Sequence, residues 1–252
     1  MDSTTRQSET LMLLESEGAM SIAELAERFE VSDETVRRDV RQLENLGHVQ
    51  KFHGGVRLPE NIFESPWRRR QYEQSSAKQA IGRACSALIP DGARLTIESS
   101  TTAFWVARSL SSQRNLSVIT NGVEIARELC GRNNNRIYLA GGEMSDATLS
   151  TLGPAAIEYI AQFTPDIAVI GASGLHSETG LCDFHMQEAE IARAILATSK
   201  RVIVIADASK FERRALVQVC DLARIDTLIT DQAPPPPLAM ALGDTEIIVA
   251  QG

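Results

Sequence analysis

The chain has 252 residues, with 25 Lys and Arg against 33 Asp and Glu and a formal net charge of −8. That length predicts one to two domains with room for a sizeable core, and the acidic balance argues against a membrane surface or a general polyanion as main partner. No apolar run approaches the roughly 18 residues of a transmembrane helix, and the opening MDSTTRQSET lacks the apolar stretch of a secretory signal.

Cys85, Cys130, Cys182 and Cys220 form no CxxC, as expected of reduced thiols in the cytoplasm. His48, His53, His176 and His185 show no metal-ligand spacing. Neither a metal nor a cofactor is expected.

Residues 6–17 predict a first helix, with Leu11, Met12 and Leu14 packing on a helical hairpin. Ile22, Leu25, Ala26 and Phe29 recur at helical spacing and give the hairpin its first helix. Ser32 is a good N-cap for the second, with Asp33 and Glu34 in its first turn. That helix places Val36, Val40, Leu43 and Leu46 on one side and Thr35, Arg37, Arg38 and Arg41 on the other. Two short helices, a tight turn and arginines on the second suit a major groove. A helical hairpin with a solvated arginine face is the alternative. Asp39 is expected to orient an arginine rather than to meet DNA.

Val49 and the Phe52 region, with Gly54-Gly55 as the bend, predict a β-ribbon beside that helix. Carrying Lys51, His53 and Arg57, it reads as a wing that grips phosphate or the minor groove. The candidate DNA contacts are Ser32, Thr35, Arg37, Arg38, Arg41, Lys51, His53 and Arg57. Over residues 1–57 seven basic residues stand against eleven acidic ones. A non-specific DNA coat would be basic throughout. Here the positive charge lies between Arg37 and Arg57, which favours docking through one face. Residues 1–58 thus predict a winged helix-turn-helix domain. Residues 59–76, with Pro59, Pro66 and the basic Trp67-Arg68-Arg69-Arg70 cluster, read as a linker.

Residues 77–252 alternate helices and strands. Helical runs fall at 78–88, 103–110, 122–130, 154–162 and 186–198. Strands fall at 94–98, 116–121, 136–142, 166–174, 201–207, 227–230 and 246–249. The pattern predicts an α/β domain with a mostly parallel sheet flanked by helices. In such sheets ligands collect at the carboxyl ends of the strands. Ser99, Ser100, Thr101 and Thr102 follow one strand and open a helix. Hydroxyls and free N–H groups there bind an anion, typically phosphate. Asn121, then Gly141 and Gly142, then Gly171 and Ser173 follow three other strands. Asp207 follows a fourth, and Lys210 supplies a cation.

Each piece alone also reads as a cap, a turn or a solvated lysine. Their joint placement predicts a pocket for a small phosphorylated metabolite. Asp183, His185, Glu188 and Asp207 would offer an isomerase its acid and base. No nucleophile elbow, zinc motif or Walker loop accompanies them. Because the chain already carries a DNA reader, the pocket is read as silent, with Asp183 and Glu188 among its candidate effector contacts.

Val31-Ser32, Thr35-Val36-Arg37-Arg38-Asp39-Val40, Leu43-Glu44 and His53-Gly54-Gly55 resemble the signature of the DeoR family of bacterial transcriptional regulators. Thr101-Thr102, Ile119-Thr120-Asn121, Ala140-Gly141-Gly142, Gly171-Ala172-Ser173-Gly174, Glu188-Ala189 and Ala206–Phe211 are similar to that family's effector domain. The Ser65-Pro66-Trp67 connector and the Ala233–Pro236 run look most like the glycerol-3-phosphate repressor branch. Glu98-Ser99-Ser100 stands where the family usually has Asp-x-Gly.

The resemblance implies an effector domain similar to sugar-phosphate isomerases. It also implies a repressor of carbohydrate or polyol genes that binds double-stranded operator DNA, as a homo-oligomer (dimer or tetramer), under a phosphorylated sugar-type effector. The rivals are a sugar-phosphate isomerase-like enzyme fused to a DNA-binding head and an architectural DNA binder.

Overall fold

Leu14, Leu25, Phe29, Val36, Val40 and Leu43 recur at helical spacing along three separate stretches, and they share one core. The computed structural model describes residues 3–17, 19–45, 48–52, 55–57 and 67–251. The chain divides into two units, Met1–Ile62 and Phe63–Gly252. Part of the stretch read as linker, from Trp67 onward, therefore belongs to the second unit. Leu46, expected on the buried helix side, and His53 and Gly54, expected in the wing, lie outside the described residues.

The first unit runs α1 (Ser3–Glu17), β1 (Ala19–Met20), α2 (Ile22–Phe29), α3 (Asp33–Asn45), β2 (Gln50–Phe52) and β3 (Gly55–Arg57). Ser21 and Glu24 form a capping box that starts α2. Glu30 in the left-handed region, φ 53°, stops it. Ser32 Oγ accepts from Thr35 N at 3.3 Å at the start of α3.

β3 pairs antiparallel with β2 and also with β1, so the wing is a three-stranded sheet. A Cβ on Gly55 would lie 2.3 Å from the Met20 carbonyl oxygen, so only glycine permits the β1–β3 approach. Met12 is 59% exposed and does not pack inward. Leu11 and Leu14, three apart, share a face from which residue 12 is rotated by about 100°.

In the second unit, α4 (Trp67–Arg70) and α5 (Ser75–Ala87) precede β4 (Arg94–Ile97), α6 (Thr101–Ser109), β5 (Ser117–Thr120), α7 (Val123–Leu129) and β6 (Arg136–Leu139). After them come the hairpin β7 (Glu143–Ser145) and β8 (Ser150–Leu152), α8 (Pro154–Ile160) and β9 (Ile167–Gly171). Strands β10 (Gly174–His176) and β11 (Gly180–Asp183), α9 (Met186–Thr198), β12 (Arg201–Ile205) and β13 (Val217–Cys220) follow. β14 (Thr227–Thr230), α10 (Pro236–Leu242) and β15 (Glu246–Val249) end the series.

The main sheet has the order β15-β14-β12-β9-β4-β5-β6 with every pairing parallel. Period-two alternation feeds both of its faces. Ile203 and Ile205 of β12 enter one core with residues of α5, α6 and α7, while Val202 and Val204 enter the other with residues of α8, α9 and α10. Burial on both faces explains the near-continuous Val/Ile runs. A smaller antiparallel sheet, β10-β11-β13, stands apart.

The linker's Trp67 is 4% exposed in the core shared by α5 and α6. Among the described residues no helix is long and apolar enough to cross a membrane.

Candidate functional site

The reading helix of the first unit presents a divided surface. Val36, Val40 and Leu43 are buried, while Ser32, Arg37, Arg38 and Arg41 are exposed and Thr35 is half-buried. The Ser32 hydroxyl is shared with the Thr35 hydroxyl at 2.9 Å, so both serve the cap while staying at the surface. Arg37 and Arg41 line one groove with Lys51 and Phe52 of the wing. Lys51 Nζ is 2.5 Å from Glu44 Oε2, and that hydrogen bond holds the Glu44 carboxyl below its ordinary range. The Arg57 guanidinium stands 5.8 Å from the centre of the Phe52 ring, a cation–π distance.

Asp39, between Arg38 and Arg41, faces inward. Its carboxylate accepts from Arg6 Nε at 2.5 Å and from Ser3 Oγ at 2.6 Å, both on α1. The arginine that Asp39 orients is thus in the buttressing helix, not the reading helix.

In the second unit, strands after β4 proceed to one side and β9 returns to the other. The order reverses between β4 and β9, which is the topological switch point. A small cavity of about 40 Å³ opens near the carboxyl ends of these strands. Ser100, Thr101 and Thr102 line it from the start of α6, and Asp207, Ser209 and Lys210 from the turn after β12.

Ser100 Oγ accepts from Ala103 N at 3.1 Å, the N-cap bond that starts α6. The first-turn amides beyond it have no intrahelical acceptor and sit at the positive end of the helix dipole. Asp207 Oδ1 caps its own turn, accepting from Ser209 N at 3.1 Å.

Other residues proposed for the pocket hold its frame. Ser99 N donates to Asn121 Oδ1 at 3.0 Å, and Asn121 Nδ2 donates to the Thr151 carbonyl at 3.2 Å. Gly171 N donates to Glu98 Oε2 at 2.9 Å. A Cβ on Gly171 would lie 2.5 Å from Ser100 Oγ, so this glycine makes room for the α6 cap. Ser173 Oγ donates to Asp183 Oδ2 at 3.2 Å, and His185 N donates to Asp183 Oδ1 at 2.9 Å. Ser99, Asn121, Gly141, Gly142, Gly171, Ser173, Asp183 and Glu188 do not line this cavity. Gly141 and Gly142 follow the edge strand β6, two strands from β4.

Sequence reasoning missed Arg70, Glu73, Gln74 and Lys78, which line the cavity from α4, α5 and the turn between them. One signal was available for the lysine. It shares a helical face with Ile81, Gly82 and Cys85, all buried. The cavity therefore gathers three cations, Arg70, Lys78 and Lys210, with two carboxylates, Glu73 and Asp207. Hydroxyls, amide donors and a surplus of positive charge suit a small anion.

Residues 6–61 match the DeoR-like helix-turn-helix domain, and residues 73–232 match the DeoR C terminal sensor domain. The glycerol-3-phosphate regulon repressor of Escherichia coli (strain K12) is 34% identical over 247 residues, 98% of each chain. The HTH-type transcriptional repressor CsqR of the same organism is 31% identical over 242 residues, 96% of this chain and 93% of that one. Among solved structures, ribose 5-phosphate isomerase A from Methanocaldococcus jannaschii matches 54% of each chain at 14% identity, with a TM-score of 0.40. With both units matched and relatives aligned end to end, the chain belongs to the DeoR family of helix-turn-helix transcriptional regulators.

Proposed function

We propose that this chain is a transcriptional repressor of carbohydrate or polyol genes, controlled by a phosphorylated metabolite bound in the second unit. Arg37 or Arg38 reads bases, while Thr35 and Arg41 serve the DNA backbone. The wing residues Lys51, His53 and Arg57 anchor phosphates. Half-sites about one helical turn apart require at least a dimer, and two-fold assembly is the default. The ligand is sensed rather than turned over. One observation carries the reading: the hydroxyl-bearing start of α6 and three cationic side chains line the same cavity at the sheet's switch point.

The test is a thermal-shift screen of phosphorylated sugars and polyols on the full chain, followed by operator titration with each hit. A ligand at 100 times its Kd stabilises the native state by about 2.7 kcal/mol. The same ligand changes operator affinity by about 5- to 150-fold. Catalytic turnover of the hit, or operator binding indifferent to every stabilising ligand, refutes the proposal.

A further inference from the structure

Gln50, Lys51 and Phe52, the three residues of β2, are all exposed, so this strand of the wing adds nothing to the core. Val49 just before it and Val56 of β3 are buried and fix the base of the ribbon. Among the described residues β2 is an edge strand that pairs with β3 alone. A side chain of the reading helix ties it down. Glu44 Oε2 accepts from Lys51 Nζ at 2.5 Å, and Glu44 Oε1 accepts from Lys51 N at 3.4 Å. One carboxylate thus grips both the ammonium and the backbone of the same wing residue.

That grip does little for folding. Both side chains are 38% exposed, and ion pairs at such exposure add little to stability. On charge alone it opposes DNA, because a carboxylate repels phosphate. The hydrogen bond from Lys51 is the main cause of the lowered Glu44 pKa, and Arg41, one turn earlier on α3, also contributes. Arg37, Arg41 and Lys51 line one groove, and Glu44 does not. The acid therefore stands outside the cationic groove and holds one of its walls.

We infer that Glu44 is a positioning residue for operator recognition: by clamping Lys51 it fixes the wing against the reading helix, and so sets how well the chain tells its operator from other duplexes. The inference rests on the reading of Arg37, Arg41 and Lys51 as the DNA face. Phosphate contacts set the register of a protein on a duplex, and base contacts read sequence in that register. With Lys51 at a fixed distance from α3, the phosphate it anchors brings the reading helix to one depth in the major groove. With β2 released, phosphates are met at many depths. Non-specific binding then survives while base contacts are lost.

The test uses the full chain and two duplexes. One is selected from a random-sequence pool by the parent chain, and the other is the same duplex with its sequence shuffled. The readout is the ratio of the two affinities at one salt concentration. Glu44→Ala is expected to lower the ratio by about 2- to 5-fold for each reading head engaged. The selected duplex binds more weakly, while the shuffled one binds as well or better. Glu44→Gln keeps one side-chain oxygen as acceptor and no charge, and its ratio is expected to fall between those of the parent and Glu44→Ala. In a Lys51→Met background, Glu44→Ala is expected to leave the ratio nearly unchanged, because the clamp has no ammonium to hold.

If Glu44→Ala and Glu44→Gln strengthen both duplexes by the same factor, the carboxylate acts through charge alone. That result overturns the inference and leaves the DNA face standing. A higher ratio in Glu44→Ala overturns it as well. If Arg37→Ala and Lys51→Met bind both duplexes as the parent does, the DNA face lies elsewhere and both readings fall.

Discussion

Asp39→Ala is the sharpest test of how the reading helix is held. The Arg6 and Asp39 side chains are 6% and 2% exposed, with Nε and Oδ2 2.5 Å apart. Deleting the carboxylate removes a charged acceptor 2.5 Å from the buried Arg6 guanidinium and takes from Ser3 Oγ its acceptor. Breaking such a pair typically costs about 3–5 kcal/mol. At 1.36 kcal/mol per decade, that is about 150- to 5000-fold more frequent opening.

Hydrogen exchange followed by mass spectrometry on the full chain reads this directly at the α3 amides. Arg6→Met combined with Asp39→Leu is expected to recover much of the loss, because no buried charge remains. Burial raises the Asp39 pKa, but the bonds from Arg6 and Ser3 outweigh it and leave the value lowered. The contribution is therefore full above the unfolded-state value of about 3.9 and disappears as pH falls through the folded value. Parental exchange rates at α3 in Asp39→Ala would show that the pair does not hold the helix.

Arg38→Ala is expected to reduce the slope of log affinity against log salt by about 0.9 if Arg38 meets phosphate, or to cost about 1–3 kcal/mol at one base pair if it reads a base; unchanged operator binding contradicts both. Gly82→Ala puts a Cβ 2.6 Å from the Trp105 carbonyl oxygen where α5 and α6 touch. The expected loss is about 1–3 kcal/mol, read as a lower Tm, and a parental Tm rejects the close approach. Burial pushes the Cys85 thiol up to about 12, whereas Cys130 is exposed. Iodoacetamide on the folded chain should label Cys130 and spare Cys85, and equal labelling would contradict the buried thiol.

Where pattern and packing share one period, the chain was readable. Val36, Val40 and Leu43 gave the buried side of α3, and Val/Ile runs marked strands covered on both faces. Three-residue strands such as β7, β8 and β10 carry too little alternation to be seen, and the two-residue β1 gains its identity only by pairing with β3.

The strand-end rule found Ser100, Thr101, Thr102, Asp207 and Lys210. It could not tell which loops share a cavity, because that depends on strand order. Asn121 and the Gly141-Gly142 pair follow β5 and β6, on the far side of β4 from β9. Arg70 and Lys78 escaped for another reason: arginine in a presumed connector and lysine on a helix ordinarily mean solvent. Burial of Trp67, a contact distant in sequence, brings that segment onto the domain.

The Glu98 carboxylate clasps the amide of Gly171 across two neighbouring parallel strands, and Ser100 Oγ occupies the space a side chain would need there. β4 and β9 are consequently locked together beside the start of α6, where neither strand can slide without breaking that contact. A molecule entering the cavity would meet, besides the start of α6, the segment from α4 to α5 and the turn after β12, neither of which that clasp holds.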